Sequence, residues 1–446
     1  MSGTNTLGVF KARLVPILEI ISNLNQRQLH DASKQPPFSD IVQLCAEFFP
    51  ALVGTIRSGT PDLESARFSL VNFFDAVGIP RGWEEADRFI DALVASFSQR
   101  HGEVIHLCPL DLADDLPNIQ FGLCEIRTFN SKELSDLMQY ERLKRRFPAL
   151  QTDIAQLSYF NWLLVREPVT FAPTLSHRGG FGSLWDFDLN QDFGAIKPFS
   201  TTWPKVVDDA VYALILQNWE NYAQHRNYNW RAFQIPWVYT VTPDRLAAPA
   251  FPPSHETLSW QTQIGQDGVG QDVEMEVPLR LNAFEDYNPI ANELTESRWQ
   301  EIVSATSAPI FNPTAAHFMV RAFRNTGIDE FLSHISAVEA AVGLGSDFGI
   351  GGRPPRIPGK QQGATARLRR RIAGLLGDIA AGARFEELFS VRSAYLHGRL
   401  EGSIASRDRV DARIIARRVV NVLVDASIAS ANATLSRESF LSLICP

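Results

Sequence analysis

The spacing of apolar residues changes period twice along this chain, and that change constrains the fold more than any single motif. Up to about residue 101, apolar residues recur at three- and four-residue steps in "LVPILEIISNL", "SDIVQLCAEFFPALVGTI", "DLESARFSLVNFFDAVG" and "WEEADRFIDALVASFSQ". Such recurrence marks amphipathic helices. Ser39-Asp40 and Asp62 read as helix starts, and "GTPD" and "GIPRG" as breaks. From about 102 to 290 short β-like runs take over: "EVIHLC", "IQFGLCEIRTF", "WLLVREPVTF" and "WVYTVT". "SKELSDLMQYERLKRRF" and "WPKVVDDAVYALILQNWENY" interrupt them as helices. From about 291 the helical period returns, through "PTAAHFMVRAFRNTG", "DEFLSHISAVEAAVG", "ATARLRRRIAGLLGDIAAG", "FEELFSVRSAYLHG" and "RDRVDARIIARRVVNVLVDASIASAN". The expectation is a multidomain α+β protein: an N-terminal helical region over 1–101, a central mixed α/β region over 102–290, and a C-terminal all-α helical bundle over 291–446. A length of 446 residues fits this, because it exceeds what one core ordinarily serves.

Hydrophobic residues make up 45% and charged residues 21%, which places the chain among ordinary globular proteins. No apolar run is long enough to cross a bilayer, and the N-terminal stretch lacks a signal-peptide pattern, so a cytoplasmic location is expected. Four scattered cysteines, Cys45, Cys108, Cys124 and Cys445, form no C-x-x-C pair and fit a reducing compartment. His101, His106, Cys108 and Cys124 match no zinc-ribbon or zinc-finger spacing and read instead as residues of a β segment, so no metal is assigned. The Gly/Pro-rich "GLGSDFGIGGRPPRIPGKQQG" reads as a loop; it lacks the Ser or Thr that follows Gly-Lys in a phosphate-binding loop.

Net charge is −8, but the average hides an asymmetry. Between Arg353 and Arg418 there are 15 Lys and Arg against 6 Asp and Glu, leaving 27 basic and 44 acidic residues over the rest. A basic region on an acidic body favours an anionic partner, nucleic acid first, although a contact between basic and acidic parts of the same chain gives the same count. "RLRRR" (Arg367 to Arg371) and the four-residue repeat of Arg409, Arg413 and Arg417 are the densest elements. Residues four apart share a helix face, so an anion-binding surface and a solvated helix face are both open readings.

One arginine stands out for its position. On a helical wheel, Phe385, Leu388, Phe389 and Leu396 fall in one apolar arc, and Arg392 falls inside it. A guanidinium on the buried stripe is costly without a partner, and Glu339, at the flank of the stripe in "FLSHISAVEAAVG", is the natural one. His397 lies about 140° around the same helix. The two side chains converge if the helix ends or bends near Gly398, or if two copies face each other across a symmetric dimer.

"FEELFSVRSAYLHG" resembles the R-x4-6-H signature of the HEPN superfamily, specifically its ApeA-like branch. "FLSHISAVEAAVG" and "ARLRRRIAGLLG" are similar to that branch's Glu-bearing and basic helices, in the same order. The resemblance covers roughly residues 313–446. It implies an all-α, commonly dimeric bundle with the Arg/His motif at the seam, and metal-independent endoribonuclease activity of the kind found in toxins and antiviral defence. Arg392 and His397 take the catalytic places, Ser393 the polar position after the Arg, and Glu339 the orienting acid. The position of a modifiable Tyr two residues after the His is here Arg399. RNA contacts are then expected at Arg367, Arg369, Arg370, Arg371, Arg399, Arg409, Arg413 and Arg417, with no cofactor. The expected partners are RNA, a second copy of the chain, and a protein or phage trigger sensed by the N-terminal region. The competing expectation is an inactive HEPN module that binds RNA or a nucleotide, or dimerises, within a sensor or interaction protein.

Overall fold

A five-stranded antiparallel sheet sits at the centre of the chain. The computed structural model describes residues 3–55, 59–113, 116–178, 201–217, 232–266, 270–280, 288–348, 363–400, 402–430 and 435–444, with positions 192, 194, 195 and 199. Most of the Gly/Pro-rich loop (349–362), the end of the "WENY" helix and Cys445 lie outside the described residues.

Before the sheet come α1 (Gly3–Ile21), α2 (Gln26–Asp31), α3 (Phe38–Phe48), α4 (Pro50–Val53), α5 (Leu63–Val77) and α6 (Trp83–Ser98). Their apolar stripes meet in one core that includes Phe10, Leu14, Phe38, Phe73, Phe74 and Phe89. Asp62 caps α5, accepting from the Ser65 amide at 3.1 Å. Ser39-Asp40 falls just inside α3, whose N-cap is Pro37.

The sheet contains β1 (His101–Leu110), β2 (Ile119–Phe121), β3 (Cys124–Thr128), β4 (Asn161–Thr170) and β5 (Tyr239–Val241), in the order β2-β3-β4-β1-β5. The run "IQFGLCEIRTF" becomes the β2–β3 hairpin, turning at Gly122 with φ of 53°. The helical stretch after β3 splits into α7 (Ser131–Leu137) and α8 (Tyr140–Arg146), because Gln139 takes a left-handed conformation between them. Short helices α9 (Ile154–Leu157) and α10 (Leu175–Arg178) flank β4, and α11 (Lys205–Ile215) follows. Arginines fasten the N-terminal helices to this part of the chain, one of them, Arg178, buried. Arg178 holds Asp244 with two bonds of 2.7 Å and donates to the Ser96 carbonyl, while Arg145 donates to the Asp75 carbonyl at the end of α5. A separate two-stranded hairpin pairs β6 (Trp260–Gln266) with β7 (Asp272–Pro278).

Alternation along β4 sends Trp162 and Leu164 to one face and Leu163 and Val165 to the other. The first face packs on α7 and α8. The second shares a continuous core with the C-terminal helices, including Cys108, Phe121, Phe331, Ile335, Phe385 and Val420. Those helices are α12 (Asn288–Glu293), α13 (Glu296–Thr306), α14 (Pro313–Arg324), α15 (Gly327–Val342), α16 (Ala364–Leu376), α17 (Ile379–Leu396), α18 (Ser406–Ala429) and α19 (Arg437–Leu443). Cys108 and Cys124 belong to this core face, where burial pushes both thiols up. His106, on the same face, hydrogen-bonds Thr240 at 2.9 Å and Glu167 at 3.0 Å across neighbouring strands. No described helix is long and apolar enough to cross a membrane.

Candidate functional site

α17 carries the Arg392/His397 pair, and both of its ends are fixed by local chemistry. α16 stops at Gly377, which is left-handed with φ of 59°. Asp378 then caps α17, accepting from the Ala381 amide at 3.0 Å, and Arg418 of α18 donates to its other oxygen at 3.0 Å. The backbone amide first, and Arg418 second, hold the Asp378 carboxyl below its ordinary range. Gly382 lets α16 and α17 touch, since a Cβ there would lie 2.5 Å from the Arg369 carbonyl oxygen. At the other end, the Gly398 amide donates to the Tyr395 carbonyl at 3.0 Å and the Arg399 amide to that of Ala394 at 2.7 Å. With Gly398 at φ of 64°, this is a Schellman cap, and it explains locally why a glycine follows the histidine.

The wheel holds over the first three turns and fails in the last. Phe385 and Leu388 are fully buried and Phe389 partly so, but Leu396 is 52% exposed. The final turn runs past the core, so Tyr395, Leu396 and His397 face outward. Arg392 sits at the edge of the core, with its side chain 26% exposed. Its Nη2 lies 3.4 Å from Glu339 Oε2 on α15, and its guanidinium carbon is 5.5 Å from the centre of the Phe389 ring. Arg392 Nε is buried and has no hydrogen-bond acceptor among the described residues. Burial raises the Glu339 carboxyl above its ordinary value, and the facing Arg392 opposes that shift. Ser393 is half-buried and offers its carbonyl to the His397 amide at 3.1 Å. Among the described residues no hydrogen bond or ion pair joins the His397 imidazole to Arg392. The structure thus brings Arg392 and Glu339 together and leaves His397 on the exposed rim of the same helix.

The arginines expected to form one basic surface divide into two groups. Arg369 and Arg370 are exposed on α16, with Arg369 paired to Glu386 at 2.6 Å, and Arg399 is exposed after the α17 cap. Arg367 is half-buried and donates to the Asp347 carbonyl at 2.8 Å. The others depart from a solvent-facing stripe. Arg371 is buried, held by the Asp347 carboxylate and donating to the Val342 carbonyl at the end of α15. Arg413 is buried against Glu330, Arg409 lies 3.6 Å from the same carboxylate, and Arg417 is buried with a bond to the Gln217 carbonyl at 3.3 Å. Desolvation lowers the Arg417 guanidinium to about 10. The shared face of Arg409, Arg413 and Arg417 points inward, the first two toward a fully buried acid on α15 and the third toward the Gln217 carbonyl just after α11.

That acid, Glu330, escaped the sequence reading. It has no exposed surface, and it anchors Arg413 and Arg409 from the first turn of α15. The available signal was its place beside Phe331 on the apolar stripe, with His334 one turn on at 3.8 Å. A cleft of about 710 Å³ lies elsewhere, between α11, α13 and α18, lined by Arg298, Arg417, Arg418, Gln217, Asn421 and Asp425 among others, and it includes neither Arg392 nor His397.

Comparison with known proteins found no family model that matches the chain, no matching curated protein and no matching solved structure.

Proposed function

We propose that the chain is a HEPN-type endoribonuclease that cleaves RNA through the substrate's own 2′-OH, with Arg392 and His397 as catalytic residues and Glu339 as a positioning residue. The observation that carries the reading is the geometry at the end of α17. A guanidinium at the core's edge is steadied by a half-buried carboxylate, and the backbone that carries an exposed histidine five residues later is fixed by a Schellman cap. In this reading His397 removes the 2′-OH proton. Arg392 holds the scissile phosphate and offsets the charge that builds on its oxygens. Glu339 keeps the guanidinium plane oriented from the protein side, leaving the exposed edge of the guanidinium for phosphate. A second copy of the chain facing this rim would supply the second half of a shared cleft, with the N-terminal and central regions as sensing or restraining parts.

The chemistry predicts products ending in a 2′,3′-cyclic phosphate and a 5′-OH, formed in EDTA. Replacing the ribose at the cleaved position by deoxyribose should stop cleavage there, and continued cutting at that position would rule the mechanism out.

One observation favours a second reading. Arg392 is already engaged by Glu339 and unconnected to His397 within the chain, as in a non-catalytic module that binds RNA or dimerises. That reading predicts RNA binding with steep salt dependence and no products.

A further inference from the structure

A second cationic feature lies outside the basic region counted along the sequence. On α14, His317, Arg321 and Arg324 stand at i, i+4 and i+7, opposite the face that buries Ala315, Met319 and Ala322. Arg321 is exposed, and among the described residues it makes no ion pair. Arg324 lies over the ring of Trp203, its guanidinium carbon 4.6 Å from the centroid, and donates to Thr202. The Phe199 ring stands edge-on to His317, with centroids 5.5 Å apart. Phe199 is 51% exposed and has φ of 64°, a conformation uncommon for a bulky side chain. Strain that holds an aromatic ring in solvent needs a reason, and ligand contact is one. Burial first, then Arg321 and Arg324, keep the His317 ring toward its neutral form, with Asp208 acting in the opposite direction. Asp208 itself is buried and accepts from Thr201 at 2.6 Å.

We infer that this face of α14, with Phe199 and Trp203, is a binding track for single-stranded RNA, in which Phe199 stacks a base and Arg321 and Arg324 hold the adjoining phosphates. Alternating rings and guanidiniums suit an unpaired strand, because stacking needs a free base face while the cations follow the backbone. A duplex hides its base faces and gains only the electrostatic part. The inference rests on the ribonuclease reading and adds a second place where the chain would hold its substrate strand.

The test uses the full chain carrying His397→Ala, so that RNA stays intact, and a fluorescent single strand of about 12 nucleotides. Phe199→Ala should raise Kd about fivefold or more for the single strand and much less for a duplex of the same sequence. Arg321→Ala should weaken binding and reduce the slope of log Kd against log salt by about one, with Arg321→Lys restoring the slope. Both substitutions are at exposed side chains, so loss of fold does not explain the result. If the wild-type chain cleaves RNA in a His397-dependent way and both variants bind as their parent does, the track is wrong and the ribonuclease reading stands. If the parent binds no RNA, both fall.

Discussion

Glu330 is the residue whose replacement tests the packing argument most severely. It is fully buried, Arg413 is buried against it, and Arg409 reaches it at 3.6 Å from a partly exposed position. Glu330→Gln keeps the volume and an acceptor oxygen but removes the charge. Arg409 can turn to water; Arg413 cannot. Removing the charge that faces a buried cation costs about 3 kcal/mol, at the lower end of the range for breaking a buried pair. At about 1.4 kcal/mol per factor of ten, local opening of α15 and α18 should become roughly a hundredfold more frequent. Hydrogen exchange resolved to peptides covering residues 330–342 and 409–424 reads this directly. Glu386→Gln is the control, since its pair with Arg369 is largely solvated and such pairs contribute about 0–1 kcal/mol. If the two variants exchange alike, the claim that Glu330 organises the helical core is refuted.

Two further predictions concern the site itself. Glu339 has its carboxyl raised above the ordinary value of 4.5, mainly by burial. The folded state therefore binds more protons than the unfolded state once pH exceeds that value, so stability falls as pH rises and the loss is complete above the folded pKa. Glu339→Gln should flatten that part of the melting-temperature profile, and an unchanged slope would show that Glu339 is not the group responsible. Gly398→Ala places a Cβ at a left-handed position, at a cost of about 1–2 kcal/mol. It should fray the last turn of α17, seen as faster exchange at residues 394–399, and lower RNA cleavage with it; normal protection there would contradict the capping account.

What the sequence could and could not disclose follows from how far apart the partners are. The short apolar run that opens "WLLVREPVTF" and the three- to four-residue period of "FEELFSV" placed β4 and α17, because each pattern is satisfied within a few residues of chain. The Arg392–Glu339 pairing was also legible, since Arg392 falls inside one apolar stripe and Glu339 at the flank of another. Leu396 was misplaced because a wheel assumes that a neighbour covers the whole helix, and among the described residues none buries Leu396 in the last turn. Arg413 and Arg417 read as a solvated or RNA-facing stripe because long cations are seldom buried. Their partners, Glu330 and Gln217, lie 83 and 200 residues away along the chain, where local spacing carries no signal. The α14 stripe stayed hidden for the same reason: its rings come from residues around 200.

The central claim is that the end of α17 cuts RNA, and the most direct measurement is RNA cleavage in EDTA by the wild-type chain beside His397→Ala and Arg392→Ala, each shown to be folded. The account predicts cleavage by the wild type and none by either variant. Equal cleavage by all three would contradict it.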